Sequence, residues 1–471
     1  MNRGSASTTD PDRFMNDTLR AHPYGRAMAE VMAAALDAVD PAVAVGRFLR
    51  LELNALLVGD ERFELHPHGR VLVVGGGKAC APMARAACEI LGERAAGIVV
   101  VKDGHLGSSR GRIGRIELLE ASHPAPDARG VAAATRIASL LQAANEHDIV
   151  LALLSGGGSA LLTLPASGLS LFDIVALTDV FLRSGATIGE LNCLRKHCLQ
   201  LAGGGLARLA APAHVAGLIL SDVVGSPLDV IASGPTVPDQ TTYEDAWKIV
   251  TRHGLERALP PAVINRLQQG MLGVLPETAK ATDPIWGRVH NTVIASNVSA
   301  AEAAVAAAHG HGFAATLLTT SLEGEAADVG AAAAATARRL RRDARAPQQP
   351  VLVVAGGETT VTLRGNGVGG RNQELALGAV PDLAGVEGVL LATLATDGGD
   401  GPTDAAGAVV TGETDARAQA LNLDPREFLH RNDAYSFFDP LGALLRPGPT
   451  LTNVNDLLLI LVAPTPPPRL S

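Results

Sequence analysis

Short apolar runs that stop at glycine- or aspartate-bearing turns recur along this chain, and this recurrence restricts the folds open to it. Val71–Val74 stops at Gly75, Gly76 and Gly77. Asp148–Leu154 stops at Ser155, Gly156, Gly157 and Gly158, and Val215–Leu220 stops at Ser221 and Asp222. Gly97–Val101 and Arg115–Leu119 are two more strand candidates, and Ala-rich stretches intervene. Buried strands alternating with helical crossovers predict a parallel, doubly wound sheet. A second series follows at 292–295, 314–318, 351–355, 389–394 and 457–462, beyond a stretch at 253–290 that is richer in proline and charge. The chain therefore reads as α/β with two domains. Residues 1–15 form a disordered tail, 16–285 an N-terminal domain with a mostly parallel sheet, and 286–465 a smaller C-terminal α/β domain. Helical periodicity covers Arg26–Val39. Asp40 and Pro41 open a second helix to about Leu57, and Ala331–Arg345 is a third; the prolines from 464 to 468 are a chain end.

Composition narrows the partners. A chain of 471 residues, 47% hydrophobic and 18% charged, is long and apolar enough for two cores. Aromatics are only 3%, so Ala, Val, Leu and Ile must fill them. The net charge of -9 gives no general attraction to nucleic acid or an acidic membrane surface, so a small anionic substrate needs local cations. The four cysteines (Cys80, Cys88, Cys193, Cys198) make neither a disulfide framework nor a zinc spacing and read as small buried hydrophobes. A polar N-terminus without an apolar h-region and the lack of a long apolar run point to a cytoplasmic protein; a monomer or homodimer is the expected oligomeric state.

The turns carry the candidate chemistry. Ligands of open parallel sheets bind beyond the carboxyl ends of the strands. Glycine lets backbone approach a ligand there, and a following helix points N–H groups at an anion. Gly75, Gly76, Gly77 and Lys78 resemble a phosphate-binding turn, though neither the Walker A pattern nor full GxGxxG spacing is present. Ser155, Gly156, Gly157, Gly158 and Ser159 offer hydroxyl and backbone donors, and Ser159 also suits a helix N-cap. Asp222 ends a strand, where a carboxylate can hold Mg²⁺ or take a proton from a hydroxyl. Glu358 follows Gly356 and Gly357. Four glycines in the six positions before Arg371 read as a mobile loop that delivers this arginine to an anion, with Asn372 beside it. Asp397, Asp400 and Asp404 crowd a turn suited to Mg²⁺ or to Asx turns, and Asn453 lies in a polar turn before the last strand. His105 and His123 both follow strands.

In order, the segments GGGKA, SGGGSALL, LILSDVVGSPLDVIASGPTVPD, ASNVSAAEAA, GGETTVTLRGNGVGGRNQELAL, ATDGGDGPTDAAGAVV and TNVNDL resemble the class II glycerate 2-kinases over about residues 25 to 463. Arg446–Thr452 departs from the family's usual Gly-Pro-Thr-Gly-Thr turn before Asn453. The resemblance implies an N-terminal Rossmann-like domain (DUF4147), a C-terminal MOFRL-type domain and an active site in the cleft between them. It implies ATP-dependent phosphorylation of the 2-hydroxyl of D-glycerate, with Mg²⁺, and Lys78 and Arg371 facing the site. The expected arrangement has Lys78 and the Gly75–Gly77 amides holding a phosphate or the carboxylate, and Ser155–Ser159 adding anion donors. Arg371 clamps the transferring group, and Asp222 or Asp397 binds Mg²⁺ or orients the hydroxyl. Some relatives are named hydroxypyruvate reductases. That alternative, like a non-enzymatic nucleotide-binding regulator, is disfavoured: no acidic residue sits suitably on a second strand after a proper GxGxxG.

Overall fold

The computed structural model describes residues 9–107, 111–342 and 349–464. It resolves into two compact units, Pro41–Ile294 and, together, Met1–Asp40 and Ala295–Ser471. The expected division at 285/286 differs from this one, because residues 9–40 pack with the C-terminal part of the chain. The described part of the expected tail is also ordered. Pro11–Phe14 is a short 3-10 helix whose Phe14 is 1% exposed. Asn16 caps the helix Asp17–Ala21 and donates to the Ala443 carbonyl at 2.9 Å. Helix Gly25–Ala38 lies along helix Asn297–Gly310, and the Thr452 hydroxyl donates to the Val39 carbonyl at 2.7 Å. The tail's first eight residues, the end of the helix expected to run to Arg345, and the terminal prolines from 465 on lie outside the described residues.

The unit Pro41–Ile294 begins with helix Pro41–Phe48, which stops well short of the expected Leu57. From Leu49 the chain instead forms an antiparallel meander of β1 (Leu49–Leu51), β2 (Ala55–Val58) and β3 (Glu61–Glu64). Leu49, Leu56, Val58 and Phe63 are buried while Leu53 at the turn is exposed, so strand burial overrides the helical start. The main sheet contains β4 (Val71–Gly76), β5 (Ala95–Lys102), β6 (Arg112–Ile113), β7 (Arg115–Ala121), β8 (Ile149–Leu154), β9 (His214–Leu220) and β10 (Val289–Ala295). Their order is β10-β9-β8-β4-β5-β7-β6. The pairs β4–β5, β4–β8, β5–β7 and β8–β9 are parallel. Every residue of β4 and β8 is buried, as strands covered on both faces require. Four helices, Leu171–Ser184, Ile188–Cys198, Tyr243–Arg252 and Pro261–Met271, share a second core around Leu177, Phe181, Leu191, Tyr243 and Leu267.

Helix Ile188–Cys198 is anchored from behind. Lys196, 5% exposed, reaches Asp229 and the buried Asp239, each at 3.4 Å. His197 Nδ1 lies 2.7 Å from the Cys193 carbonyl, and Nε2 lies 3.3 Å from Glu277. Burial opposes charge on His197, but the bonds to Cys193 and Glu277 outweigh it and hold the pKa up at about 9. Because the folded pKa exceeds the unfolded one, this stabilisation is complete below about pH 6.5 and is lost as pH rises through about 9. Raising the pH from 7 to 9.5 is expected to cost on the order of 2 kcal/mol at this site. Urea midpoints should fall over that window in the wild type and stay flatter in His197→Gln.

The other unit holds a mixed sheet of β11 (Ala314–Leu322), β12 (Val351–Gly357), β13 (Val389–Ala395), β14 (Gly407–Thr411), β15 (Leu444–Leu445) and β16 (Asp456–Val462), ordered β11-β12-β16-β13-β14-β15. Only β11–β12 is parallel; β16, inserted between β12 and β13, is antiparallel to both. Helices Ala326–Arg342 and Arg371–Leu383 pack together over this sheet with Leu375, Leu377, Val380, Leu391, Phe437 and Ile460 in one core. Among the described residues, no helix is long and apolar enough to cross a membrane.

Candidate active site

In the parallel sheet, chain order runs outward from β4 through β5 and β7 on one side and through β8 and β9 on the other. The crevice beyond the carboxyl ends of β4 and β8 is therefore the switch point at which such sheets bind ligands. The two glycine turns meet there and are stitched together. The Lys78 N–H donates to the Gly156 carbonyl at 2.9 Å, and the Gly77 N–H donates to Val100 at 3.1 Å. The Ala79 N–H donates to Ser155 Oγ at 3.1 Å, and that hydroxyl is fully buried. These contacts revise two expectations. Gly75 and Gly76 lie within β4, and the Gly77 and Lys78 amides are already engaged, so this turn presents the Lys78 side chain rather than a cradle of N–H groups. Ser155 joins the turns instead of facing a ligand. Gly75 is needed for close approach: a Cβ there would lie 1.9 Å from the Leu153 carbonyl oxygen, at a φ of +152°.

Around Lys78 the geometry favours an anion. Among the described residues no carboxylate lies within ion-pair distance of it, while its charge acts on two half-buried neighbours. Asp222 is pushed above the usual carboxylate range by burial, partly offset by Lys78. His123 is lowered to about 4 by burial and then by Lys78, Lys102 and His105, so its ring is neutral at pH 7. Asp222 packs on Gly156 and the His123 ring on Gly157. His105, the other candidate histidine, has its Nδ1 2.9 Å from the Lys78 carbonyl and positions the turn. Ser159 Oγ lies 2.8 Å from Ser233 Oγ, which donates to Asn192 Oδ1 at 3.3 Å. His123, Gly157, Ser159, Asp222, Asn192 and Arg195 line a cleft of about 540 Å³ between these turns and the helices Leu171–Ser184 and Ile188–Cys198. The sequence reading missed Asn192, Arg195 and Ser233; the only signal was the i, i+3 spacing of Asn192 and Arg195.

The other unit has its own polar cluster. Arg371 opens helix Arg371–Leu383, with Nη1 2.6 Å from Glu358, Nε 2.6 Å from Asp456 and Nη2 3.2 Å from Asp456. Asn455 Nδ2 donates to Glu358 at 2.8 Å. Asp400, 3% exposed, accepts from the Asn372 and Gln373 N–H groups at 3.2 and 2.8 Å. The protein's own carboxylate thus occupies the helix N-terminus that the sequence offers to a phosphate. Burial raises Asp400 to about 6 against the pull of those two amides. Asn372 is buried, with its carbonyl accepting from Thr393 at 2.9 Å, and it serves the helix start rather than an open surface. Asp397 is exposed and accepts from the Gly399 N–H at 3.1 Å; Asn453 accepts from the Asn455 N–H at 3.1 Å. The glycines before Arg371 do serve packing, against expectation. A Cβ on Gly365 would lie 2.4 Å from the Arg431 carbonyl oxygen, and one on Gly370 would lie 2.3 Å from Asp400. The Val368 N–H is bound to Asp433 at 3.0 Å, which ties the loop down.

Residues 27–268 match a domain of unknown function, DUF4147, and residues 351–456 match the MOFRL family. The D-glycerate 2-kinase of Thermotoga maritima is 44% identical over 83% of this chain and 91% of its own length. The glycerate 2-kinase of Pyrococcus horikoshii is 40% identical over 92% of this chain and 96% of its own. This chain belongs to the glycerate 2-kinase family. A crystal structure of a glycerate kinase from Thermotoga maritima superposes with a TM-score of 0.81 at 41% identity, covering 92% of this chain and 98% of that one. The Rossmann-like domain expected of a glycerate 2-kinase is the parallel sheet described above. Asp103 follows β5, where both its oxygens accept from Arg129 at 2.7 Å.

One substitution tests this arrangement without removing any charged group. A Cβ on Gly156 would lie 1.8 Å from Asp222 Oδ2 and 2.5 Å from its Cγ. Gly156→Ala must swing Asp222 aside. Displacing a reacting group by about 1 Å costs up to ~10²-fold, so kcat is expected to drop about that far. Thermal melting checks that the fold persists.

Proposed function

We propose that this protein transfers the γ-phosphoryl group of ATP to the 2-hydroxyl of D-glycerate, releasing 2-phosphoglycerate and ADP. The observation that carries this reading is the cation Lys78, without an ion-pair partner among the described residues, beside the half-buried Asp222 at the switch point of the parallel sheet. Phosphoryl transfer needs positioning and charge neutralisation more than covalent catalysis, and this site supplies both. Lys78 neutralises charge on the transferring group. Asp222, with its raised pKa, accepts the proton leaving the 2-hydroxyl. Neutral His123 donates or accepts a hydrogen bond without adding charge. In the other unit, among the described residues, Arg371 commits three of its five N–H groups to Glu358 and Asp456.

Mg²⁺ fits these residues. Among the described residues no group of three or more His, Cys, Asp and Glu could hold a metal. Protein sites for Mg²⁺ on nucleotides commonly use one or two carboxylates with phosphate oxygens and water, which the exposed Asp397 or the half-buried Asp222 would provide. When bound, the ion neutralises phosphate charge. The test is ADP release from ATP with D-glycerate and Mg²⁺, run beside nicotinamide absorbance with hydroxypyruvate. Glycerate-dependent ADP release with no nicotinamide oxidation is expected; the reverse pattern refutes the reading.

A further inference from the structure

We propose that Arg195 is the specificity-determining cation of the cleft and binds the carboxylate of the acceptor acid. This rests on the kinase reading above, and the experiment below separates the two. Arg195 and Lys196 are adjacent but differently placed. Lys196 points to the back of its helix and is held by Asp229 and Asp239. Arg195 lines the cleft, and among the described residues its guanidinium makes one bond, to the Thr178 hydroxyl at 3.5 Å. No carboxylate of the described residues is within ion-pair distance of Arg195. Asp179, on the same wall, is engaged by Arg183 at 3.0 Å. Burial without a compensating charge lowers the guanidinium pKa. A half-buried, unneutralised arginine in a cleft is costly unless an anion arrives.

The surroundings select the kind of anion. The cleft's charged lining consists of Arg195, Asp222 and Asp179, with the neutral His123 ring among them. The Ser159–Ser233–Asn192 hydrogen bonds run from the glycine turn to the helix turn that precedes Arg195. A hydroxy acid has its carboxylate next to its 2-hydroxyl. Arg195 takes the carboxylate as a planar two-oxygen acceptor, with Ser159 beside it, while Asp222 faces the hydroxyl. A nucleotide phosphate is the other oxyanion that could use this cation, and the kinetics tell the two apart.

The test compares wild type, Arg195→Met and Arg195→Lys by steady-state kinetics and by calorimetric titration of D-glycerate without ATP. A charge-assisted pair of this kind is worth about 10- to 100-fold. The KM for D-glycerate and its calorimetric Kd are expected to rise by about that factor in Arg195→Met. Arg195→Lys should recover part of the loss, and the KM for ATP should stay within about twofold. The preference for D-glycerate over its neutral amide should fall in parallel. A rise confined to the KM for ATP, or unchanged glycerate binding, overturns the proposal. Wild type that binds D-glycerate through Arg195 without phosphorylating it refutes the kinase reading alone. Wild type that does not bind D-glycerate refutes the carboxylate site.

Discussion

Lys78→Ala is expected to lower kcat/KM for D-glycerate phosphorylation by about 10³-fold while the melting temperature and far-UV circular dichroism stay close to wild type. Removing one preorganised donor to developing transition-state charge costs about 10²–10³-fold, and Lys78 brings a full charge as well. The fold should be indifferent. The backbone of Lys78 is fixed by its own N–H bond to Gly156 and by His105 on its carbonyl, neither of which involves the ammonium group. Two neighbours should respond. Lys78 contributes to the lowering of His123 to about 4 and partly holds Asp222 down. In the variant, His123 should titrate closer to its ordinary value and Asp222 should rise further. Unchanged kcat/KM in a folded Lys78→Ala protein would remove Lys78 from the mechanism.

Arg371→Met is expected to lose about 3 kcal/mol of stability as well as activity, which separates it from Lys78→Ala. Deleting one partner of a buried ion pair leaves the other charge uncompensated. Asp456 is 8% exposed and depends on Arg371 for its counter-charge, while Glu358 is open enough to be hydrated. Burial already raises the Asp456 pKa, with Arg371 pulling it down. Without Arg371 the folded pKa climbs further above the unfolded one. A raised carboxyl pKa favours the folded state at low pH and loses that benefit as pH rises through it. The variant should therefore regain stability from pH 7 to pH 5, and Arg371→Met with Asp456→Asn should be more stable at pH 7 than Arg371→Met alone. Wild-type stability in Arg371→Met would show that the cluster does not hold the start of helix Arg371–Leu383.

Much of this architecture can be read from local pattern. The apolar runs at 71–74, 97–101, 148–154 and 215–220 became β4, β5, β8 and β9, because strands covered on both faces are largely apolar, and 115–119 became β7, where Arg115 and Glu117 alternate with buried Ile116 and Leu118. Lys78 and Asp222 stand out in the sequence because strand ends in such sheets are where ligands bind. What escaped depends on contacts distant in sequence. Nothing local to Phe14 or Asn16 says that they pack beside Ala443. Composition cannot tell which of Asp397, Asp400 and Asp404 turns inward; Asp400 does, because the Asn372 and Gln373 amides await it. The glycines before Arg371 read as a source of mobility, yet they give room to the segment around Arg431 and Asp433. Arg195 was hidden in the string Arg-Lys-His, where only the packed helix reveals which cation faces the cleft and which two are tied behind it.

The central claim is phosphorylation at the 2-hydroxyl, and the identity of the product tests it most directly. The protein is incubated with ATP, Mg²⁺ and D-glycerate, and the product is passed to enolase with and without phosphoglycerate mutase. Conversion to phosphoenolpyruvate by enolase alone is the expected result, since only 2-phosphoglycerate is its substrate. ADP release with conversion only after mutase is added would mean that the 3-hydroxyl is the acceptor, and it would contradict the placement of the carboxylate on Arg195 and the 2-hydroxyl at Asp222.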